Sequence, residues 1–214
     1  MSTTTGNDPR VRRYIWDTRF LEMARVMSTF SKDPSTKVGA VLVNDQRIVV
    51  GMGYNGFPRG VEDRPDRLAN RELKYKLVVH AEMNAILQAG PAAKGATLYV
   101  HPAFVMPPIC HDCCKHAIQM GVKEVVGWES VPDEDRTRRW AESIALSRVM
   151  CEEAGVTWRS VNPNPKSHAQ WIQANRSECD QCLVGHSDGP CTRCPHCNVF
   201  VEFAHLQEPC CGRL

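Results

Sequence analysis

Cysteine is the residue type whose number and spacing first indicate chemistry in this sequence. The chain has 214 residues, of which 11 are cysteines, and this odd number excludes complete pairing in intramolecular disulfides. Four pairs have the C-x-x-C spacing: Cys110 with Cys113, Cys179 with Cys182, Cys191 with Cys194, and Cys194 with Cys197. Two thiolates at that separation can hold one metal ion, and such pairs are typical of zinc sites. The sequence therefore predicts a zinc-binding protein.

A histidine and a glutamate extend the first of these pairs into a candidate reaction centre. The motif HAE (80–82) opens one predicted helix, and CHDC (110–113) opens another 30 residues later. Cysteines three apart in a first helical turn place both sulfur atoms on one face, where the positive end of the helix favours thiolates. If His80 is the third zinc ligand, beside the thiolates of Cys110 and Cys113, the metal site as a whole has no net charge. The fourth coordination position of the zinc ion is then open to water.

Glu82 adds a possible proton carrier to this group of metal ligands. It lies two residues beyond His80, where it can reach the water without binding the metal. One histidine and two cysteines on zinc, with a glutamate that is not a ligand, is the arrangement of the zinc deaminases. A lone H-x-E is ordinary in a helix, and a lone C-x-x-C can be a redox pair or half of a structural site. Their joint occurrence at two helix starts favours a catalytic zinc ion with Glu82 as proton carrier.

Alternating helices and strands surround these motifs. Period-3.6 spacing of apolar residues predicts a helix over residues 16–30, and further helices are predicted at 67–75, 78–90, 110–121 and 133–155. A buried strand is predicted at 38–43, and further strands are predicted at 47–53, 96–101, 123–127 and 156–161. We therefore expect residues 1–161 to form a three-layer α/β domain with one mixed sheet.

The composition changes after residue 161. Asn-Pro repeats open a predicted linker over 162–178, and residues 179–214 contain seven of the eleven cysteines. Two C-x-x-C pairs with eleven residues between them resemble a zinc ribbon, which predicts a structural zinc ion on Cys179, Cys182, Cys194 and Cys197. Other cysteines and histidines of the tail are alternative ligands and allow a second ion, and a tail without metal is the remaining alternative.

Charge and hydropathy argue against nucleic acid and membranes as binding partners. The net charge of +2 gives no global basic field, and the tail has few aromatic residues and no basic cluster, so nucleic-acid binding is not expected. No apolar stretch reaches the ~20 residues that a bilayer span needs. The first residues lack the apolar core of a secretory signal. We expect a cytoplasmic protein without membrane association.

Several motifs in register extend the pattern beyond the candidate zinc ligands. They are Trp16-Asp17 with Phe20, Met23 and Ala24; KVGAV (37–41); GYNGFPRG (53–60); VVHAEMNAI (78–86); GATLYVH (95–101); and CHDC followed by IQMGVKEVV (118–126). Together, residues 16–127 resemble the deoxycytidylate (dCMP) deaminase branch of the cytidine deaminase superfamily. The resemblance implies a five-stranded sheet flanked by helices, one catalytic zinc ion per chain and a homo-oligomer. It implies conversion of dCMP to dUMP and ammonia, with Glu82 passing a proton from water to the ring nitrogen and then to the departing amine.

The same resemblance assigns substrate contacts. It implies that the side-chain amide of Asn55 holds the substrate and that the backbone of Ala81 meets the base, although Asn55-Gly56 also suits a simple turn. A substrate phosphate needs a cation or a helix N-terminus. The sequence does not show whether the basic residues of the loop before His80 bind phosphate or are only solvated. The six residues are Arg59, Arg64, Arg67, Arg71, Lys74 and Lys76.

Departures from the family pattern leave the substrate open. Ile109 stands where proline usually precedes the first zinc cysteine, and His101 stands where threonine is common. The alternatives are a modified pyrimidine nucleotide, a free nucleoside, cytosine in a polynucleotide, or an inactive zinc-dependent scaffold. Control by a deoxynucleoside triphosphate effector is a further implication of the resemblance. Cys114 is interpreted as a packed thiol, because adjacent cysteines rarely share one zinc tetrahedron.

Overall fold

The computed structural model of the protein describes residues 9–103, 107–129 and 134–162. Its helices are α1 (Pro9–Ser28), α2 (Pro65–Ala69), α3 (Arg71–Leu77), α4 (Ala81–Ala89), α5 (His111–Gln119) and α6 (Glu134–Ala154). Its strands are β1 (Gly39–Val43), β2 (Val49–Tyr54), β3 (Thr97–His101), β4 (Glu124–Trp128) and β5 (Thr157–Val161). Every predicted strand is present, and the predicted helix at 67–75 is two short helices.

The five strands form one mixed sheet in the order β2-β1-β3-β4-β5. Strand β1 pairs antiparallel with both β2 and β3, whereas β3, β4 and β5 run parallel to one another. The parallel pairs require crossovers, and α5 and α6 supply them. The predicted mixed sheet is therefore confirmed.

Two glycines show where helices pack on the sheet. Gly39 and Ala40 are neighbours in β1 and point to opposite faces, and Ala40 pairs with Gly53, so these two share a face. A Cβ at Gly39 would lie 2.0 Å from the carbonyl oxygen of Ala24 in α1, and one at Gly53 would lie 2.2 Å from that of Ala81 in α4. Helices α1 and α4 therefore cover opposite faces, which gives the three predicted layers.

The main apolar core lies between the sheet and the layer of α4, α5 and α6. Helix α5 packs against both of its neighbours in this layer. The core draws small and branched aliphatic residues from both sides, including Ala40, Leu42, Leu98, Val100 and Val125 from strands and Ala81, Ala85, Ile86, Cys113, Cys114, Ala117 and Cys151 from the helices or their starts. The starts of α4 and α5 are thus anchored in this buried core.

The helix predicted over 78–90 begins later than expected. Helix α4 starts at Ala81, and His80 before it has an extended backbone (φ −69°, ψ 154°). Val79 forms a two-way bridge with Gly56, with N–H···O distances of 2.8 and 3.1 Å. This bridge explains the shorter helix, and it holds the GYNG segment beside the residue that precedes His80.

Residues 17–161 form one compact unit. The described residues 9–16 and Asn162 belong to a second unit, within which the Tyr14 hydroxyl donates to the carbonyl oxygen of Asn162 at 3.0 Å. The predicted zinc-ribbon site of Cys179, Cys182, Cys194 and Cys197 lies outside the described residues, as does the predicted linker beyond Asn162. In the described ranges, no helix has the length and apolar character that crossing a membrane requires.

Candidate active site

Three predicted zinc ligands meet at the starts of two helices. His80 is the N-cap of α4, Cys110 is the N-cap of α5, and Cys113 lies in the first turn of α5. The Nδ1 atom of His80 lies 3.4 Å from the Sγ atom of Cys110 and 3.4 Å from that of Cys113. All three donor atoms lie within 4.8 Å of one another.

These distances match tetrahedral zinc. Zinc bonds of ~2.3 Å to sulfur and ~2.0–2.1 Å to nitrogen, at a tetrahedral angle, separate the nitrogen and sulfur atoms by about 3.5 Å. The observed 3.4 Å separations agree with that value. Within the described ranges, no other cysteine, histidine or carboxylate joins the group. The donor set therefore fits zinc with three protein ligands, the number that characterises catalytic rather than structural sites.

The local electrostatics prepare Cys110 for metal binding. Without a metal ion, a hydrogen bond with the Cys113 thiol lowers the pKa of Cys110 to about 4; burial opposes this shift, and hydrogen bonding with His80 adds to it. The same hydrogen bond with Cys110, together with burial, raises the pKa of Cys113 far above its ordinary value. The backbone N–H of Cys113 also points at the Cys110 sulfur, 3.5 Å away, as expected at a helix start. The Cys113 thiol, His80 and the backbone N–H of Cys113 thus together stabilise a thiolate at Cys110.

Glu82 is buried beside the metal ligands. Glu82 is only 6% exposed, although it lies in the first turn of α4. Burial raises the pKa of Glu82 to about 7, and the charge of His80 opposes part of that shift. A carboxyl group with such a pKa can accept and return a proton near neutral pH. Glu82 is therefore suited to general acid–base chemistry.

A cavity of about 380 Å³ opens onto this group. Its wall combines the loop after α1, helices α3 and α4, the segment before α5, and the start of α6. The lining residues are Asp33, Ser35, Thr36, Val38, Asn55, Ala69, Arg71, Lys74, Tyr75, Val78, His80, Ala81, Glu82, Val100, Pro102, Pro108, Ile109, Cys110, Arg136, Arg139, Trp140 and Ile144. A cavity of this volume is in the range of small-molecule sites.

Asn55 and Ala81, the two residues predicted to contact substrate, both line the cavity. The Asn55 side chain already makes three hydrogen bonds within the protein. Its Oδ1 accepts from the Val38 N–H at 2.7 Å, and its Nδ2 donates to the Thr36 carbonyl at 2.9 Å and to Oδ2 of Asp33 at 3.5 Å. An amide oxygen accepts two hydrogen bonds, so Oδ1 retains capacity for one more. Ala81 is the first residue of α4, where backbone N–H groups have no partner within the helix.

The basic residues before His80 separate into two groups. Arg71 and Lys74 line the cavity, and the other four candidates do not. Lys74 is buried in an ion pair with Asp33. The cavity also contains Arg136 and Arg139 of α6, which sequence reasoning did not identify. Their spacing of three places them on one helix face, but the sequence does not indicate that this face meets the site.

Cys114 is separate from the ligand group. Its Sγ atom lies 3.5 Å from that of Cys151 in α6, and it donates to the carbonyl oxygen of Ser147 at 3.7 Å. Both cysteines are buried. This location agrees with the interpretation of Cys114 as a packed thiol. Cys113 and Cys114, although adjacent, therefore occupy different environments.

Comparisons with known proteins match the stretch that contains the ligands. Residues 14–129 match the family model described as the cytidine and deoxycytidylate deaminase zinc-binding region. A protein of Aliivibrio fischeri named "Uncharacterized deaminase in luxG 3'region" is 42% identical over 145 residues, which cover 67% of this chain and 92% of that protein. The deoxycytidylate deaminase of Homo sapiens is 37% identical over 154 residues, which cover 69% of this chain and 80% of that protein.

A solved structure shares the fold. The crystal structure of dCMP deaminase from the cyanophage S-TIM5, in complex with dCMP and dUMP, has a TM-score of 0.50 at 23% sequence identity. The match covers 72% of this chain and 98% of that chain. The mixed sheet with its flanking helices is thus a known architecture.

Proposed function

The chain belongs to the cytidine and deoxycytidylate deaminase family, and we propose that it converts dCMP and water to dUMP and ammonia. The meeting of His80, Cys110 and Cys113 beside the buried carboxyl group of Glu82 carries this proposal. Its relatives include proteins named deoxycytidylate deaminase. A zinc-dependent hydrolytic deamination is the reaction that this set of groups can perform.

The roles of the residues follow from their chemistry. His80, Cys110 and Cys113 would hold the zinc ion. When bound, zinc is a Lewis acid that lowers the pKa of a coordinated water to about 7 and makes it a nucleophile for C4 of cytosine. Glu82 would accept the proton of that water, donate it to the ring nitrogen and assist the departure of the amine. Burial raises the pKa of Glu82, which favours its acting both as acceptor and as donor of the proton.

Asn55 and Ala81, which line the cavity, would position the substrate. The backbone N–H of Ala81 would donate to the base, and the free acceptor capacity of Asn55 Oδ1 would receive a hydroxyl group of the sugar. Both contacts are of the kind that fix orientation in small-molecule sites. Neither group changes its protonation state during the reaction.

The charge of the cavity favours a nucleotide over a free nucleoside. Arg71 and Arg139 line it, and its acidic residues are Asp33, which is paired with Lys74, and Glu82 at the metal ligands. An excess of guanidinium groups suits a phosphate, which arginine can bind through two parallel hydrogen bonds. A nucleoside offers no such anion.

Other properties of the chain belong to the same proposal. They comprise a catalytic domain over residues 1–161, a linker over 162–178, and a tail over 179–214 with a structural zinc ion. Homo-oligomerisation, control by a deoxynucleoside triphosphate and a cytoplasmic location are also proposed. All of these rest on the sequence and its resemblance to the family.

The test is ammonia release by the zinc-loaded full-length protein. The substrates are dCMP, CMP, deoxycytidine, 5-methyl-dCMP, dAMP and a cytosine-containing single strand, with the Glu82→Gln variant as the blank. We expect turnover of dCMP well above that of deoxycytidine. Ammonia release from the single strand alone would mean that the substrate is cytosine in a polynucleotide. No ammonia release from any of the six compounds, with zinc present, would favour the inactive scaffold.

A further inference from the structure

A buried ion pair forms part of the cavity wall. The Nζ atom of Lys74 in α3 lies 2.9 Å from Oδ1 of Asp33, in the loop between α1 and β1. The two side chains are only 6% and 9% exposed. Both residues line the cavity. The pair therefore ties α3 to the loop at residues 33–38, which we call the substrate loop.

Asp33 in turn organises the substrate loop. Its Oδ1 atom accepts the backbone N–H of Ser35 at 2.7 Å and that of Thr36 at 3.1 Å. Lys74 adds a second contact, because its Nζ atom donates to the Ser35 hydroxyl at 3.0 Å. One lysine and one carboxylate thus fix the turn at residues 33–36 from two sides.

The turn is connected directly to Asn55. The carbonyl oxygen of Thr36 accepts Nδ2 of Asn55 at 2.9 Å, and the N–H of Val38 donates to its Oδ1 at 2.7 Å. These bonds determine the rotation of the amide, and so the direction in which the remaining acceptor site of Oδ1 points. A continuous series of contacts therefore runs from Lys74 through Asp33 and the turn to Asn55.

A buried ion pair contributes little net stability to the fold, so stability alone does not explain the Lys74–Asp33 pair. Desolvation of two charges offsets most of their attraction, and an apolar pair of similar size often gives an equally stable fold. A charged pair has directional bonds that an apolar pair lacks. In this chain, those bonds point at the backbone of a loop that lines the cavity.

We propose that Lys74 and Asp33 are positioning residues, whose ion pair holds the substrate loop and the Asn55 amide in the geometry that binds the nucleotide. The inference rests on the proposed function and adds to it two residues that touch neither the metal nor the reacting atoms. Because they act on substrate orientation, their loss affects binding of the substrate more than the capacity of Glu82 to move protons.

The test compares Lys74→Met and Asp33→Asn with Lys76→Met in the full-length, zinc-loaded protein. Lys76 is a matched control, since it lies in the same helix, is 68% exposed and pairs with the exposed Glu72. We expect both pair variants to raise KM for dCMP by about ten- to hundredfold, as small misplacements in a site do. We expect kcat and the zinc content to change much less, and Lys76→Met to behave as the parent.

A second readout is independent of turnover. The amides of Ser35, Thr36 and Val38 donate to Asp33 and Asn55, so their hydrogen exchange should become faster in both pair variants and stay at the parental rate in Lys76→Met. If a pair variant fails to fold, Ser35→Ala removes one acceptor of Lys74 and should raise KM by a smaller factor.

Several outcomes would overturn the inference. One is a parental KM in both pair variants, and another is loss of zinc in proportion to activity, which would indicate a purely structural pair. A rise in KM with Lys74→Met but not with Asp33→Asn would instead indicate direct contact of Lys74 with the substrate. If the parent does not deaminate dCMP, the proposed function fails, and the exchange rates still decide whether the pair holds the loop.

Discussion

Gly53 in β2 lies directly beneath the carbonyl oxygen of Ala81, the first residue of α4. A Cβ atom built at Gly53 would lie only 2.2 Å from that oxygen and 2.5 Å from the backbone nitrogen of Ala85. Real Cβ atoms do not approach backbone atoms so closely. The start of α4, with His80 and Glu82, therefore sits at a depth that only glycine at position 53 permits.

We expect Gly53→Ala to displace α4 and damage the zinc site. Both close contacts are backbone atoms of the helix, so a side-chain rotation cannot relieve them. Overpacking of this kind costs about 1–3 kcal/mol, and the displacement would carry His80 away from the cysteines. The measurements are the free energy of unfolding, from urea titration, and zinc content by mass spectrometry.

Gly56→Ala is the matched control for that experiment. It lies three residues along the same segment, and the nearest atom to its Cβ would be a Tyr54 ring carbon at an ordinary 3.6 Å. We expect its zinc content and unfolding free energy to stay near those of the parent. Equal effects of the two substitutions would contradict the close-approach argument.

Cys113 and Cys114 are adjacent, but only Cys113 belongs to the ligand group. We therefore expect Cys113→Ser to lose about one equivalent of zinc per chain relative to the parent, because serine is a poor replacement for a thiolate ligand. Cys114→Ser should keep that equivalent, since its hydroxyl can donate to the Ser147 carbonyl as the thiol does. The measurements are the zinc content and the rate of ammonia release of both variants. Loss of zinc in Cys114→Ser with retention in Cys113→Ser would reverse the ligand assignment.

Glu82 should be needed for turnover and not for zinc. We expect Glu82→Gln to keep the parental zinc content and to lower kcat by at least about 10²–10⁴, the usual contribution of a positioned proton-transfer group. Glu72→Gln is the control, because Glu72 is an 84% exposed residue of α3. A variant at position 82 that turned over near the parental rate would exclude the proton-transfer role.

The grouping of His80, Cys110 and Cys113 could be predicted, with Glu82 beside them, because the sequence motifs that indicate it are local. Cys110 and Cys113 share one helical turn, and His80 and Glu82 share the start of another. Only the meeting of two helix starts had to be inferred, and alternating helices and strands made that meeting reasonable. Strands β1, β3 and β4 were predictable for the same reason, because each contains a short apolar run.

The Lys74–Asp33 pair and the cavity arginines of α6 could not be predicted, because their positions depend on long-range packing. Lys74 and Asp33 are 41 residues apart, and each side chain alone looks like part of a solvated loop. Arg139 belongs to α6, which follows both ligand motifs in the chain and reaches the cavity only once α6 packs on α5. Helix periodicity identifies the faces of α6 but not the neighbour that each face meets.

The acid sensitivity of the fold should depend partly on Asp33. Burial would raise the pKa of Asp33, but hydrogen bonds from Lys74 and from the amides of Ser35 and Thr36 outweigh it and hold the pKa below its ordinary value of 3.8. Since the folded-state pKa is the lower one, the carboxylate stabilises the fold fully above pH 3.8. That contribution is lost as the pH falls through the folded-state value.

The double variant Asp33→Asn/Lys74→Met checks this pH dependence without leaving one charge buried. We expect the difference in unfolding free energy between parent and double variant to be constant near neutral pH and to shift against the parent in acid, below about pH 4. Urea unfolding from pH 7 to pH 3 measures it, with Glu72→Gln as an exposed control. A difference that is constant over the whole range would exclude a lowered pKa at Asp33.

Arg139 provides the sharpest test of the phosphate argument, because Arg138 beside it on α6 does not line the cavity. A hydrogen bond to a charged group contributes about 1.5–3 kcal/mol, so Arg139→Gln should lower kcat/KM for dCMP by about 10- to 150-fold. For deoxycytidine, which has no phosphate, the same substitution should change kcat/KM little. Arg138→Gln, which removes only an exposed ion pair with Asp135, should leave both values near the parental ones. An equal loss on both substrates in Arg139→Gln would mean that this arginine supports α6 rather than the phosphate. Unchanged kinetics would assign the phosphate to other residues of the cavity.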